Sequence, residues 1–116
     1  MTYATEELLI STIAHLLDGL KHIAVGVLSP IPGSAALLAA SRSATIKKIS
    51  IIGSMKEPYR LDGAVDLFDC AAQGRIDAFF LSGGQIDGQA NVNLTGIGQY
   101  PNQDTRWSGA FGSAYL

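Results

Sequence analysis

HIAVGVLSPIPGSAALLAASR, residues 22–42, is the stretch on which the fold turns. HIAVGVL, residues 22–28, is an unbroken apolar run of strand length and reads as a buried strand. Pro30, Pro32 and Gly33 then make a tight connection, and an Ala/Leu-rich helix is expected from about Gly33 to Arg42. A strand that leads into a helix and then into another strand needs a crossover, which makes the strands parallel. The start of such a helix turns backbone amides toward whatever lies past the strand end, a favourable place for an anion. Neither GxGxxG nor GK[ST] occurs in the loop, so it carries no dinucleotide or nucleoside-triphosphate fingerprint.

The same alternation extends on both sides. Leu8, Leu9, Thr12, Ile13, Leu16 and Leu17 repeat at helical spacing, so a helix is expected from about Thr5, as its cap, to Asp18, with Glu6 and Glu7 at the positive end of the dipole and Gly19 as its stop. A second strand is expected over 47–52, stopping at Gly53-Ser54, and a helix from Gly63 to Gln73 with Val65, Phe68 and Ala72 on one side and Asp62, Asp66 and Asp69 solvated on another. Arg75-Ile76-Asp77 leads into a third strand over 76–82, which breaks at Ser82-Gly83-Gly84. The expected architecture is a single α/β domain over 1–116, an open, mainly parallel sheet with flanking helices. The breaks at 30–33, at Gly53 and at Gly83-Gly84 fall at the carboxyl ends of the strands, where such sheets bind ligands.

Composition narrows the function. With 116 residues, 47% of them hydrophobic, the chain is one domain with apolar surface enough for a core. Eight basic and ten acidic residues give a net charge of −2, and only Lys47-Lys48 cluster, so no nucleic-acid footprint is present. No apolar run approaches the ~20 residues of a membrane helix. MTYATEELL is acidic rather than basic and has no signal-peptide pattern, so a cytoplasmic location is expected. The single cysteine, Cys70, reads as a small packed residue, and His15 and His22 are isolated, so no metal site is expected.

The stretch AFFLSGGQIDGQANVNLTGIG, residues 78–98, is the candidate site. After the glycine break, Gln85, Asp87, Gln89, Asn91 and Asn93 alternate with small or apolar residues, as in an extended segment with one hydrogen-bonding face. Amides and a carboxylate beside glycines suit a polar small molecule. The same residue types also build hairpin turns that bind nothing, and spacing alone leaves both readings open.

LSGGQIDGQANVNLTGIGQY followed by RWSGAFGSA resembles the B (beta) subunit of family I CoA-transferases of the glutaconate type, whose pattern is approximately LGGAQxDxxGNxNxTxIGDY and then RxPGSGGA. Gly83, Gln85, Asp87, Asn91, Asn93, Ile97, Gly98 and Tyr100 fall on that pattern, as do Arg106, Gly109 and Gly112. VGVLSPIPGSAALLA is similar to the corresponding family stretch as well. The resemblance implies a NagB/RpiA/CoA-transferase-like sheet, coenzyme A thioesters as substrates rather than a bound cofactor, an A (alpha) subunit as partner, and a homo- or hetero-oligomer. It implies a substrate and CoA site at Gly83, Gly84, Gln85, Asp87, Asn91, Asn93, Gly109 and Gly112, with the glycines of SGAFGSA lending backbone N–H groups to the thioester carbonyl. Ala110 and Phe111 there make the pocket floor bulkier than in the family.

At the end of the second strand the family carries a glutamate that attacks the acyl-CoA thioester, forming a mixed anhydride and then a glutamyl thioester. Here that position is Gly53, which offers no nucleophile. Glu57, four residues on, is the other candidate, but Pro58 places it in a surface loop. Family subunits continue for about as many residues again, so the domain is expected to be incomplete at its C-terminus, exposing an apolar patch and leaving Phe111, Tyr115 and Leu116 to pack against something absent. Three functions follow: a transferase subunit whose isolated chain is inactive, a CoA-thioester-dependent ring-opening hydrolase or lyase subunit of the same fold, or a non-catalytic binding chain.

Overall fold

The computed structural model describes residues 2–56, 63–110, 112, 113 and 116. The expectations for Glu57, Asp62, Phe111 and Tyr115 lie outside the described residues. Helix α1 (Thr5–Leu16) precedes strand β1 (His22–Val25), followed by α2 (Pro30–Arg42), β2 (Lys48–Ile51), α3 (Ala64–Ala72) and β3 (Ala78–Phe80). The three strands form one sheet in the order β2-β1-β3, and both pairings are parallel. Two antiparallel hairpins follow, β4 (Gln85–Ile86) with β5 (Val92–Asn93) and β6 (Gly96–Ile97) with β7 (Thr105–Arg106).

Register assigns the faces. Ile23 pairs with Ile49 and Ala78, and Val25 with Ile51 and Phe80, so these side chains share one face. There they pack against Ala14 and Leu17, at and just past the end of α1, and against Ala35, Ala36 and Ala39 of α2. The alanines leave α1 and α2 close together over the sheet. On the opposite face Ala24 lies between Ser50 and Phe79. Helix α3 covers it: Leu67 is buried, and the Phe68 ring stacks on Phe79 with centroids 6.2 Å apart.

Several boundaries differ from expectation for identifiable reasons. Helix α1 starts from Ala4 rather than Thr5, and Glu7 accepts a hydrogen bond from the Ala4 N–H at 2.8 Å. Helix α2 begins at Pro30, three residues early, because a first-turn proline forgoes an N–H that has no helical partner there. The first strand ends at Val25, since the Gly26 N–H makes the last bond to the Phe80 carbonyl, at 3.1 Å, before the chain turns at Leu28 with φ 52°. In α3 Leu67 is buried and Phe68, Cys70 and Ala71 are half-buried, so the inward side is not the expected Val65, Phe68 and Ala72; Val65 is 71% exposed and Ala72 is exposed too.

Beneath α3, at the amino ends of the strands, lies a buried polar pair. His22 Nε2 is 3.0 Å from the Ser50 hydroxyl and Nδ1 is 3.2 Å from the Arg75 carbonyl oxygen. A carbonyl only accepts, so Nδ1 carries the proton and Nε2 accepts from Ser50. Asp77 ties the same end together by accepting from the backbone N–H groups of Lys21 and His22 at 2.7 and 2.8 Å, which hold its carboxyl below the ordinary range. Ser50→Ala is expected to cost about 1–3 kcal/mol in urea denaturation, because it leaves buried Nε2 without a donor.

Burial lowers the His22 pKa from the ordinary 6.5, and nearby Lys48 lowers it further. The unfolded chain therefore takes up this proton before the folded one does. The stability His22 contributes is full above pH 6.5 and declines as the pH falls from there toward its folded value. Urea midpoints compared at pH 8 and pH 5 check this: the midpoint should fall at the lower pH, and the fall should shrink in His22→Gln.

Candidate functional site

The order β2-β1-β3 reverses the direction of winding at β1, so the connections after β1 and β3 diverge and leave a crevice between their carboxyl ends. A cleft of about 430 Å³ occupies this place. Gly26 and Val27 line it from the end of β1, Ile52 from β2, and Leu81 and Ser82 from β3. Phe68 and Phe79 form its wall under α3, while Leu94, Ser108, Gly109, Ala110 and Gly112 close it from the C-terminal segment. Gly112 is needed there for packing, as a Cβ would overlap the ring of Phe68.

The expected site residues divide into two sets. Gly109 and Gly112 line the strand-end cleft. Gln85, Asp87, Asn91 and Asn93 line a separate basin of about 430 Å³ on the β4–β5 hairpin. Gly83 and Gly84 line neither cavity; a Cβ on Gly83 would overlap Val92, and one on Gly84 would overlap the Trp107 ring. One cleft does not hold them all, because the hairpin projects away from the sheet, with every residue from Leu81 to Val92 exposed.

The hairpin's polar side chains are spent largely on one another. Asp87 accepts from the Asn91 amide nitrogen at 2.8 Å and from the backbone N–H groups of Asn91 and Gln89 at 2.9 and 2.8 Å, which hold its carboxyl below the ordinary range. Asn93 Nδ2 donates to Gln85 Oε1 and to the Gly96 carbonyl, both at 2.8 Å. Its Oδ1 accepts from the Thr95 N–H at 3.0 Å and from the Thr95 hydroxyl at 3.1 Å. An amide with two donor hydrogens and two lone pairs is saturated by these bonds. Asn93 and Asp87 are the braces of a turn.

Gly53 lies two residues past the end of β2 and does not itself line the cleft; its neighbour Ile52 does, and a Cβ at position 53 would touch Cγ2 of the lining residue Val27 at 3.4 Å. The Gly53 φ of +84° is one that side chains adopt only under strain. Helix α2 begins beside a second hollow lined by Gly26, Leu28, Ser29 and Gly33. Its first turn makes a poor anion site, contrary to expectation: Pro30 and Pro32 have no N–H, and the Gly33 N–H already donates to Ser29 at 3.0 Å. Among the described residues no three His, Cys, Asp or Glu side chains converge as metal ligands, and no helix is long and apolar enough to cross a membrane.

Gly84→Ala is expected to cost about 1–3 kcal/mol by pushing the Trp107 ring aside. Trp107 is the only tryptophan, so its emission reports the shift directly, and Gly88→Ala, with open space around position 88, should leave it unchanged.

The residues that sequence reasoning missed are the apolar ones. Ile52, Leu81 and Leu94 carry no chemical mark, and Phe68 and Phe79 read equally well as core. For Ile52, Leu81 and Leu94 the one sequence signal is position, just past the ends of strands and next to glycine breaks.

No family model and no curated protein matches the chain. Solved structures do. The decarboxylase AibA/AibB is similar over 98% of this chain, with a TM-score of 0.73 and 25% identity, and variants of it at one cysteine match equally. Glutaconate coenzyme A-transferase from Acidaminococcus fermentans is similar over 98% of this chain, with a TM-score of 0.68 and 22% identity. This chain covers 55% and 52% of those chains, about half their length. It therefore has the α/β fold shared by AibA/AibB and glutaconate coenzyme A-transferase, a CoA-transferase fold.

Proposed function

We propose that this chain is a B-type subunit of a CoA-transferase-like enzyme, which binds an acyl-CoA at the strand-end cleft and works with an A-type subunit to move CoA between an acyl-CoA and a carboxylate. The observation that carries the reading is the convergence of β1, β2 and β3 on one cleft, with Gly109 and Gly112 of the family-like glycine motif in its wall. The Gly109 and Ala110 N–H groups donate to no acceptor among the described residues, and in this reading they meet the thioester carbonyl oxygen. In this reading the chain supplies binding and electrostatic stabilisation. The nucleophilic carboxylate is missing at Gly53, so it has to come from elsewhere in the assembly.

One observation favours a second reaction class. Of the two neighbours, the one with the higher TM-score is a decarboxylase, an enzyme that breaks a C–C bond, and this chain has a glycine, not a carboxylate, at position 53. The chain would then be a subunit of a CoA-thioester-dependent lyase or hydrolase. Co-expression with an A-type subunit separates the two. CoA exchange between an acyl-CoA and a free carboxylate supports transfer, and cleavage of the acyl skeleton with the thioester intact supports the lyase. Failure to bind any acyl-CoA, alone or with the partner, contradicts both.

A further inference from the structure

We infer that the cleft selects an uncharged, apolar acyl group, branched or aromatic, over an acyl group that ends in a second carboxylate. The inference rests on the acyl-CoA reading and specifies the substrate class of that site. Val27, Ile52, Phe68, Phe79, Leu81 and Leu94 supply most of the wall. Among the described lining residues none is charged, and the polar side chains are three serines, Ser82, Ser108 and Ser113. The Ser113 hydroxyl is already committed to the Ala110 carbonyl. An ionised carboxylate leaves water only where a cation or several donors receive it; with the Gly109 and Ala110 N–H groups assigned to the thioester carbonyl, the hydroxyls of Ser82 and Ser108 are the side-chain donors left among the described lining residues, and they fall short of that. A carboxylate-tipped chain would have to keep its end in solvent and forgo the aromatic wall, whereas a branched or aromatic chain buries its whole length between Phe68, Phe79 and Leu94. At about 430 Å³ the cleft has ample room for a five- to eight-carbon acyl group.

Calorimetric titration of the purified full chain tests this with three probe sets: isovaleryl, phenylacetyl and glutaryl thioesters of CoA, the same acyl groups as N-methyl amides, and CoA itself. The isovaleryl and phenylacetyl probes are expected to bind at least tenfold more tightly than glutaryl in both acyl series. Leu81→Lys, which sets a cation at the partly exposed mouth of the cleft, should narrow or reverse that ratio. Equal affinities, a glutaryl preference, or no gain from any acyl group over CoA overturns the inference. In the last case CoA binding by itself leaves the acyl-CoA reading standing. A preference seen in the amides while CoA adds nothing sustains the acyl inference and sinks the CoA reading instead.

Discussion

Ile23→Ala is expected to remove about 2–5 kcal/mol of stability, the cost of emptying a fully buried branched side chain. Ile23 is 0% exposed, at the centre of the middle strand, packed between both neighbouring strands and the layer formed by α1 and α2. The core is small. Few residues besides Ile23, Val25, Ile49 and Leu67 are both large and buried, so no second cluster compensates. A domain of ordinary stability has about 5–15 kcal/mol in hand, so a mid-range loss of about 3 kcal/mol should lower the urea midpoint of the variant by roughly a third. Leu16→Ala serves as contrast: Leu16 is 76% exposed, and its truncation should move the midpoint by no more than about 0.5 kcal/mol.

The second large effect is chemical. The purified chain by itself should show no CoA-transferase turnover, because in our proposed reading Gly53 takes the place of the nucleophilic glutamate. Gly53→Glu should not simply restore it. The backbone at position 53 has φ +84°, so any side chain there costs about 1–3 kcal/mol of strain. The new carboxylate must also come within about 3–3.5 Å of the thioester carbon. The expected result is a slightly destabilised variant that captures CoA weakly, as a mass adduct or a hydroxylamine-sensitive thioester, and only with an A-type subunit present. Clear turnover by the unmodified chain that Glu57→Gln abolishes would move the nucleophile to Glu57.

Much of the fold was legible because strands and helices alternate with different apolar periods. HIAV, KISI and AFF lie in short runs that glycines at positions 26, 53 and 83 cut to strand length, and the helical crossovers between them favour parallel pairing. Phase was harder to read. In α3, Val65/Phe68/Ala72 and Leu67/Phe68/Ala71 both satisfy a helical stripe, and only the sheet beneath chooses the second. The strand order, and with it the crevice between β1 and β3, follows from which edge β3 joins, a long-range choice with no local mark in the sequence.

The site was legible in location and misleading in detail. Glycine breaks pointed to the strand ends, and Gly109 and Gly112 do line the cleft there. The amides of 85–93 drew attention because Asn, Gln and Asp serve ligands and turns by the same hydrogen bonds. In this chain the turn consumes most of them. At the same end of the sheet Val27, Leu28 and Met55 are 58%, 93% and 85% exposed. The radius of gyration, 15.8 Å, likewise exceeds the about 13 Å of a compact chain of this length. An A-type subunit, or a second copy of the chain, is the occupant our reading expects over that surface.

The central claim is that acyl-CoA binds between the carboxyl ends of β1 and β3. Amide chemical-shift mapping during titration of the chain with isovaleryl-CoA tests it most directly. The largest shifts should fall on Gly26, Val27, Ser82, Gly109 and Gly112, with His22 and Ser50 at the far end unmoved. Shifts confined to Asp87, Asn91 and Asn93 on the hairpin, or no saturable shifts at all, would contradict it.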